Sequence, residues 1–296
     1  MVLSSKKTVL ITGCTPGGIG HELALEFHKQ GLHVIATARR LEVLSDLRRL
    51  GIDTLPLDVT KSESINTCRK QVTEITGGTL DILVNNAGVS HTIPAIDIDM
   101  DDVRNTFETN VFGVMAMVKT FAPLLIAARG LIVNISSLAS VAPYVFGSVF
   151  CATKGAINSY SRTLRQELRP FGVRVTVVMA GVVKTTTTKL YRELPSGSIY
   201  YLLEELFTRK LTYSENTAKM EARDFAEKVV TKLLYGRGWL WSLIGGRPDW
   251  LWLGGSATII RLAQWIGEWF LDAKAYEKFG LHKLEELVRK QETKLD

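Results

Sequence analysis

Cysteine, long apolar stretches and runs of like charge are all scarce in this chain of 296 residues. Its cysteines, Cys14, Cys68 and Cys151, are too few and too scattered for a disulfide framework or a CxxC metal site. We therefore expect reduced thiols, a cytoplasmic location and no bound metal. The N-terminus lacks an apolar stretch of the length that a secretory signal requires, so export is not expected.

The net charge of +6 arises from 36 basic and 30 acidic residues that are interspersed along the chain. Nucleic-acid-binding proteins concentrate their basic residues, so this distribution argues against a nucleic-acid partner. The composition, with 46% hydrophobic and 22% charged residues, is typical of one large α/β domain with a full core.

Short β-branched runs alternate with helical patterns over the first three-fifths of the chain. The runs lack alternation of polar and apolar residues, which predicts strands buried on both faces of a parallel sheet. The predicted strands are Thr8–Gly13, His33–Thr37, Asp53–Leu57, Asp81–Asn85, Leu131–Ile135 and Val173–Val178. The predicted helices are Ile19–Gln30, Leu41–Leu50, Ser62–Ile75, Met100–Ala128, Ser148–Arg169 and Ala222–Leu234. The predicted fold class is α/β, a doubly wound parallel sheet of the Rossmann type in a single domain.

Two segments depart from this alternation. Residues 186–220 are polar and follow the last predicted strand, at the edge where open α/β sheets bind ligands. We interpret them as a substrate-covering loop, with an ordinary surface loop as the alternative. All six tryptophans lie in the last quarter of the chain. We therefore predict a cofactor-binding domain over residues 1–236 and a tryptophan-rich amphipathic extension over residues 237–296.

A glycine-rich turn follows the first predicted strand and opens the first predicted helix. In that setting, glycines let the backbone approach a pyrophosphate, which the N-terminus of the helix attracts. The candidate cofactor-binding residues of this turn are Gly13, Thr15, Gly18, Ile19 and Gly20.

The end of the second predicted strand distinguishes the two nicotinamide cofactors. An acidic residue there binds the ribose 2′-hydroxyl of NAD(H), whereas arginine accommodates the 2′-phosphate of NADP(H). This sequence has Arg39 and Arg40 and lacks the acid. NADP(H) is therefore the predicted cofactor, and two surface arginines at the start of a helix are the alternative interpretation.

The glycine-rich turn is similar to the TGxxxGxG turn of short-chain dehydrogenases/reductases, with one additional residue after Gly13. Further motifs follow in that family's order: Leu57-Asp58-Val59, Asn85-Asn86-Ala87-Gly88, and the stretch from Ala180 to Thr185. The resemblance implies that Asp58 binds the adenine amino group and that Val183 and Thr185 contact the nicotinamide carboxamide. The other cofactor-lining residues that it implies are Val59, Asn86, Ala87 and Gly88.

Members of this family reduce carbonyl groups with an Asn-Ser-Tyr-Lys tetrad, because the oxygen that receives negative charge needs a hydrogen-bond donor and a proton. The matching positions are Asn110, Ser137, Phe150 and Lys154. The resemblance implies that Ser137 polarises the carbonyl, that Asn110 and Lys154 relay protons, and that Lys154 also bonds the nicotinamide ribose. Phe150 has no hydroxyl, and losing a positioned acid lowers the rate by about 10²- to 10⁴-fold.

Three interpretations of Phe150 stay open. The chain is an active reductase whose tyrosine has been changed, a natural reductase with a displaced proton donor, or an NADP(H)-binding protein that isomerises, cyclises or only binds its ligand. Tyr144 is the candidate displaced donor, and ordinary ring packing is the alternative. His91 is a weaker candidate donor, and Cys151 is interpreted as a packing residue.

Within the family, the chain resembles fungal NADPH-dependent 1-acyldihydroxyacetone-phosphate reductases and their relatives. Leu194–Tyr200 and Phe279-Gly280-Leu281 contribute to this resemblance, which implies a hydrophobic or lipid-like substrate or a secondary metabolite. Charged residues interrupt the segment Trp250–Leu271, so a membrane span is not predicted. With Ser256 as N-cap, the segment predicts an amphipathic helix. Peripheral contact with the endoplasmic reticulum or a lipid droplet, closure of the pocket, and packing on the core or in a homodimer are the open alternatives.

Overall fold

The computed structural model describes residues 6–185, 192–211, 218, 220–236 and 248–292. Within these residues the chain forms a seven-stranded parallel sheet with the order β3-β2-β1-β4-β5-β6-β7. The strands are β1 Thr8–Ile11, β2 His33–Ala38, β3 Asp53–Pro56, β4 Ile82–Asn85, β5 Leu131–Ser137, β6 Arg174–Ala180 and β7 Trp250–Leu253. The order reverses between β1 and β4, and doubly wound sheets bind ligands at such a point. The predicted doubly wound fold is confirmed.

Helices cover both faces of the sheet. They are α1 Ile19–Lys29, α2 Ser45–Arg49, α3 Ser62–Thr76, α4 Met100–Phe107, α5 Gly113–Ala128, α6 Ser148–Leu168, α7 Glu204–Leu211, α8 Ala222–Tyr235, α9 Ala257–Ala263, α10 Glu268–Lys278 and α11 Leu281–Glu292. Val9 and Ile11 of β1 pack on the side of α1 and α8, whereas Leu10 packs on the side of α3, α5 and α6. Both sheet faces are therefore apolar, which explains the unbroken hydrophobic runs in the sequence.

The predicted helix Met100–Ala128 is continuous but not α-helical throughout. A π-helical turn over Glu108–Phe112 separates α4 from α5. By length and composition alone, this run could cross a membrane. However, Met117, Phe121 and Leu125 are buried in the core between the helices and the sheet. The run is therefore a core helix of the α/β domain.

The C-terminal extension contributes a strand that the sequence analysis missed. β7 pairs with β6, and the Trp250 ring centroid lies 5.9 Å from the guanidinium carbon of Arg162 and 5.6 Å from that of Arg165. A short apolar run does not distinguish a strand from a buried helix by its periodicity. The division of the chain at residue 236 stays a prediction.

The prediction of a single helix that begins after Ser256 is wrong. The chain forms α9 and α10, which a turn ending at Gly267 (φ 123°) separates. Ser256 is not a side-chain N-cap, because its backbone is left-handed (φ 64°) and its hydroxyl makes no capping hydrogen bond. Residues 186–191, 212–217 and 219 of the predicted substrate loop, and Trp239 and Trp241, lie outside the described residues.

Candidate active site

The glycine-rich turn over residues 13–20 joins β1 to α1 beside the switch point of the sheet. Gly13 has a left-handed φ of 73°, and a Cβ atom there would lie 2.9 Å from the Cα of Ala87. A Cβ on Gly20 would lie 2.5 Å from the carbonyl oxygen of Gly13. The N-cap of α1 is Gly18, so no side chain caps the first N–H groups of the helix. This end of α1 therefore suits an anionic group such as a pyrophosphate.

Thr12 ties the glycine-rich turn to the segment after β4. Its hydroxyl oxygen accepts hydrogen bonds from the backbone N–H groups of Asn86 and Ala87, both at 2.9 Å. The side-chain amide of Asn86 donates in return to the carbonyl oxygens of Thr12 at 2.8 Å and Gly13 at 3.0 Å. Asn86 and Ala87 are predicted from the sequence, whereas Thr12 is not, although its place at the end of the predicted strand before Gly13 is a signal for this role.

The residues predicted to hold the adenosine end lie after β2 and β3. Arg39 and Arg40 are exposed, and Asp58 is half-buried. Burial raises the pKa of Asp58, but hydrogen bonds from the backbone and hydroxyl of Thr60 and the charge of Arg39 outweigh burial and hold the pKa below its ordinary value. An ionised carboxylate near an exposed arginine fits the adenine and the 2′-phosphate of NADP(H).

The residues predicted to border the nicotinamide lie after β4, after β6 and on α6. A Cβ atom on Gly88 would lie 3.2 Å from Oδ1 of Asn110 and 3.8 Å from Nζ of Lys154. Val183 is buried and Thr185 is half-buried directly after β6. The glycine-rich turn, the N-terminus of α1 and this group of side chains fit a nicotinamide dinucleotide along the carboxyl edge of the sheet.

Asn110 lies in the π-helical turn between α4 and α5, a conformation that is frequent at functional sites. Its side-chain oxygen accepts from the N–H of Val89 at 2.8 Å, and its amide donates to the carbonyl of Val89 at 2.9 Å and to the hydroxyl of Thr153 at 3.2 Å. The side chain thus joins the segment after β4 to α6. Its predicted role as a proton relay stays a prediction.

Lys154 is buried on α6, and its ammonium group donates to the carbonyl oxygen of Ile135 on β5 at 2.9 Å. Burial lowers the pKa of Lys154 from 10.5 to about 8, because a charged group loses hydration in the protein interior. A lysine with this pKa exchanges its proton near neutral pH, which is unusual for the residue and common at catalytic sites.

Ser137 ends β5, two residues after Ile135. Its hydroxyl oxygen accepts a hydrogen bond of 3.2 Å from the backbone N–H of Ala139. Because the oxygen accepts this bond, the hydroxyl proton points away from Ala139 and can be donated to a carbonyl oxygen. Ser137 can therefore stabilise developing negative charge.

Phe150 lies one helical turn before Lys154 on α6, and its ring centroid is 5.7 Å from the Lys154 ammonium nitrogen. The ring of Tyr144 lies 6.4 Å away, at an angle of 59°. The turn glycine Gly147 permits this position, because a Cβ there would lie 2.0 Å from the Cδ1 of Tyr144. Tyr144, the candidate displaced donor, therefore lies beside Phe150. Its role as proton donor stays a prediction.

His91 is fully buried beside the ion pair of Asp102 with Arg192. Burial and the charge of Arg192 lower the pKa of His91 despite the opposing charge of Asp102, so the imidazole is neutral at pH 7. Its Nε2 lies 3.2 Å from Oδ2 of Asp102, but the two atoms do not have the geometry of a hydrogen bond. A side chain that is 0% exposed does not reach a substrate, which argues against His91 as proton donor. Cys151 is half-buried on α6.

Comparison with known proteins identifies the family. The family described as short chain dehydrogenase matches residues 7–195. An NADPH-dependent 1-acyldihydroxyacetone phosphate reductase of Schizosaccharomyces pombe is 41% identical over 260 residues, which cover 85% of this chain and 87% of the relative. This chain belongs to the short-chain dehydrogenase family. A short-chain dehydrogenase of Aspergillus ruber, fogD, is 40% identical over 287 residues, or 95% of this chain and 96% of the relative.

Solved structures agree with this family. A short-chain dehydrogenase from Streptomyces avermitilis superposes with a TM-score of 0.77 at 27% identity, covering 95% of this chain and 99% of that one. The closed form of a serine dehydrogenase complexed with NADP⁺ superposes with a TM-score of 0.67 at 28% identity, covering 82% of this chain and 93% of that one. The fold of this chain is therefore that of solved short-chain dehydrogenases.

Proposed function

We propose that this chain uses NADPH to reduce a carbonyl group on a hydrophobic or lipid-like small molecule. The observation that carries the proposal is the position of Ser137 and Lys154. Lys154 donates a hydrogen bond to the carbonyl oxygen of Ile135 on β5, two residues before Ser137. Its ammonium group also lies near Gly88, which follows β4 close to the glycine-rich turn. The Schizosaccharomyces pombe relative, named as an NADPH-dependent reductase of an acylated phosphate ester, supports both the cofactor and the substrate class.

When bound, NADPH supplies the hydride for this reaction. Ser137 donates a hydrogen bond to the carbonyl oxygen and stabilises the charge that forms there. Two groups near Phe150 can supply the proton that this oxygen needs. The hydroxyl of Tyr144 belongs to the ring beside Phe150, and the ammonium of Lys154 has a pKa of about 8. Either group is a less effective substitute for the hydroxyl that the phenylalanine lacks.

One observation favours an alternative function. Phe150 has no titratable group, so position 150 lacks the acid that the tyrosine of the tetrad would supply. In the alternative, the chain retains NADP(H) and isomerises, cyclises or binds a hydrophobic ligand. This alternative predicts product formation without oxidation of NADPH.

The preference for NADPH depends on Arg39. Replacing it with alanine (Arg39→Ala) is expected to raise the Kd for NADPH by roughly 10- to 100-fold, because a charge-assisted bond to the 2′-phosphate is lost. The Kd for NADH should stay the same. Arg48→Ala is the matched control, since Arg48 is an exposed arginine whose Nε donates to Thr54. Equal affinity for NADH and NADPH in the unaltered chain, unaffected by Arg39→Ala, would remove the 2′-phosphate interpretation.

The C-terminal extension exposes large apolar side chains on α9, α10 and the turn between them. α9 packs on the sheet through Ala257 and Ile260. The exposed side chains are Ile259 at 69%, Leu262 at 62%, Trp265 at 88%, Ile266 at 55% and Trp269 at 67%. We propose that this surface, the α9–α10 patch, contacts a lipid surface of the endoplasmic reticulum or a lipid droplet, because tryptophan favours the membrane interface.

Flotation with phosphatidylcholine liposomes tests the α9–α10 patch. The unaltered chain is expected to float with the vesicles, and the double variant Trp265→Ser, Trp269→Ser to lose most of this binding, because two interfacial side chains are removed. Phe171→Ser is the control, since Phe171 is 52% exposed elsewhere on the surface. If the unaltered chain stays in the soluble fraction and sediments as a dimer that the double variant disrupts, the patch is a homodimer contact instead.

A further inference from the structure

Three aromatic rings from separate parts of the chain form a row that starts at Phe150, four residues before Lys154. Phe150 lies on α6, Tyr144 lies in the loop after β5, and Phe279 lies between α10 and α11. The Tyr144 ring centroid is 6.4 Å from that of Phe150 and 6.5 Å from that of Phe279, with interplanar angles of 59° and 79°. We call these three residues the aromatic row.

Each residue of the aromatic row is half-buried, so each keeps part of its surface accessible to solvent. A second ring contact nearby is closed, since Phe146 is 7% exposed and Phe207 is 2% exposed, with their centroids 5.6 Å apart. The closed pair serves packing, whereas the residues of the aromatic row stay partly exposed, and Phe150 lies next to the buried ammonium of Lys154.

Phe279 is held in the row by a tight turn. Its backbone N–H donates to the carbonyl of Ala275 at 2.9 Å, which ends α10. The next residue, Gly280, has a left-handed φ of 69°, and a Cβ atom there would lie 2.9 Å from the Cδ1 of Leu206 on α7. The turn therefore packs closely on α7, and the C-terminal extension reaches the part of the site around Phe150.

We propose that the aromatic row binds a flat aromatic ring of the substrate and that Phe279 is a specificity-determining residue of this subsite. The inference rests on the proposed function, because the ring belongs to the ketone that is reduced. Edge-to-face and offset-stacked contacts favour an aromatic ring over a saturated ring of the same size by about threefold to tenfold for each ring pair. A saturated acyl chain gains burial against these rings but none of these contacts.

Binding to the full chain loaded with NADP⁺ tests the subsite, because the oxidised cofactor prevents reduction during the titration. The unaltered chain is expected to bind 2-acetylnaphthalene at least about tenfold more tightly than its saturated analogue 2-acetyldecalin. Phe279→Leu keeps an apolar side chain without the ring and is expected to lower this ratio to about threefold or less. Phe279→Tyr retains the ring and should retain the ratio. Phe171→Leu is the matched control and should leave the ratio unchanged.

Three results would overturn the subsite: equal binding of the two ketones, no binding of either, or a ratio that Phe279→Leu leaves unchanged. If Phe279→Leu does not fold, Tyr144→Leu removes the central ring of the aromatic row and gives the same comparison. Oxidation of NADPH by 2-acetylnaphthalene is measured separately. A ring preference without NADPH oxidation would contradict the proposed function and support the subsite.

Discussion

Replacing Phe150 with tyrosine is expected to raise NADPH-dependent reduction of a hydrophobic ketone by about 10²-fold or more. The new hydroxyl would extend from a ring that lies 5.7 Å from the ammonium nitrogen of Lys154. The substitution adds one oxygen to a half-buried ring, so it changes little volume. A positive charge at Lys154 also favours the ionised phenol, which makes the hydroxyl a better proton donor. The measurement is the initial rate of NADPH oxidation with saturating ketone.

Phe150→Leu is the control, because it changes the ring without adding a hydroxyl and should give no gain. If Phe150→Tyr binds the ketone and the rate does not rise, a hydroxyl at position 150 takes no part in the chemistry of this site. Tyr144→Phe in the otherwise unaltered chain separates the two proton sources. Loss of activity identifies the Tyr144 hydroxyl as the donor, and unchanged activity leaves Lys154 as the donor.

Replacing Lys154 with methionine is expected to lower ketone reduction by about 10²- to 10⁴-fold. The ammonium group has a pKa of about 8 in the folded chain instead of 10.5, so it is charged below about pH 8 and loses its proton as the pH rises through that value. Activity that needs the charged form should therefore be highest below about pH 8 and decline above it. Lys154→Met removes the group that titrates and should remove this step from the pH profile.

Unfolding does not explain the expected loss in Lys154→Met. Because folding lowers the pKa of Lys154 from 10.5 to about 8, the cost of burying its charge grows as the pH falls below about 10.5 and is complete below about 8. An apolar side chain of similar length should therefore keep or raise the Tm near neutral pH. Lys184→Met is the matched control, since Lys184 is exposed and pairs with Glu221 at 2.9 Å. A Lys154→Met variant with full activity and an unchanged pH profile would exclude Lys154 from the chemistry.

The sheet and the geometry of the glycine-rich turn are the parts that the sequence predicts best. Strands buried on both faces appear as continuous apolar runs, and glycines with a left-handed φ or a close backbone neighbour, such as Gly13 and Gly20, mark the cofactor turn. Local patterns suffice there because the constraint lies within one strand, one turn and one helix.

The C-terminal part could not be predicted in the same way, because its structure depends on distant contacts. β7 forms by pairing with β6, and Trp250 packs against the arginines of α6. Phe279 reaches Tyr144 across 135 positions of sequence. The partners of Asn110 likewise come from the segment after β4 and from α6, so its structural role is visible only in the folded chain.

The most direct test of carbonyl reduction by this chain is the fate of the hydride. The measurement uses NADPH in which both hydrogens at nicotinamide C4 are replaced by deuterium, together with a hydrophobic ketone that the chain binds. It compares the deuterium in the product alcohol with the NADP⁺ formed. We predict one deuterium at the carbinol carbon for each NADP⁺. A product without deuterium, formed with no NADP⁺, would contradict the reductase and establish non-redox chemistry in this site.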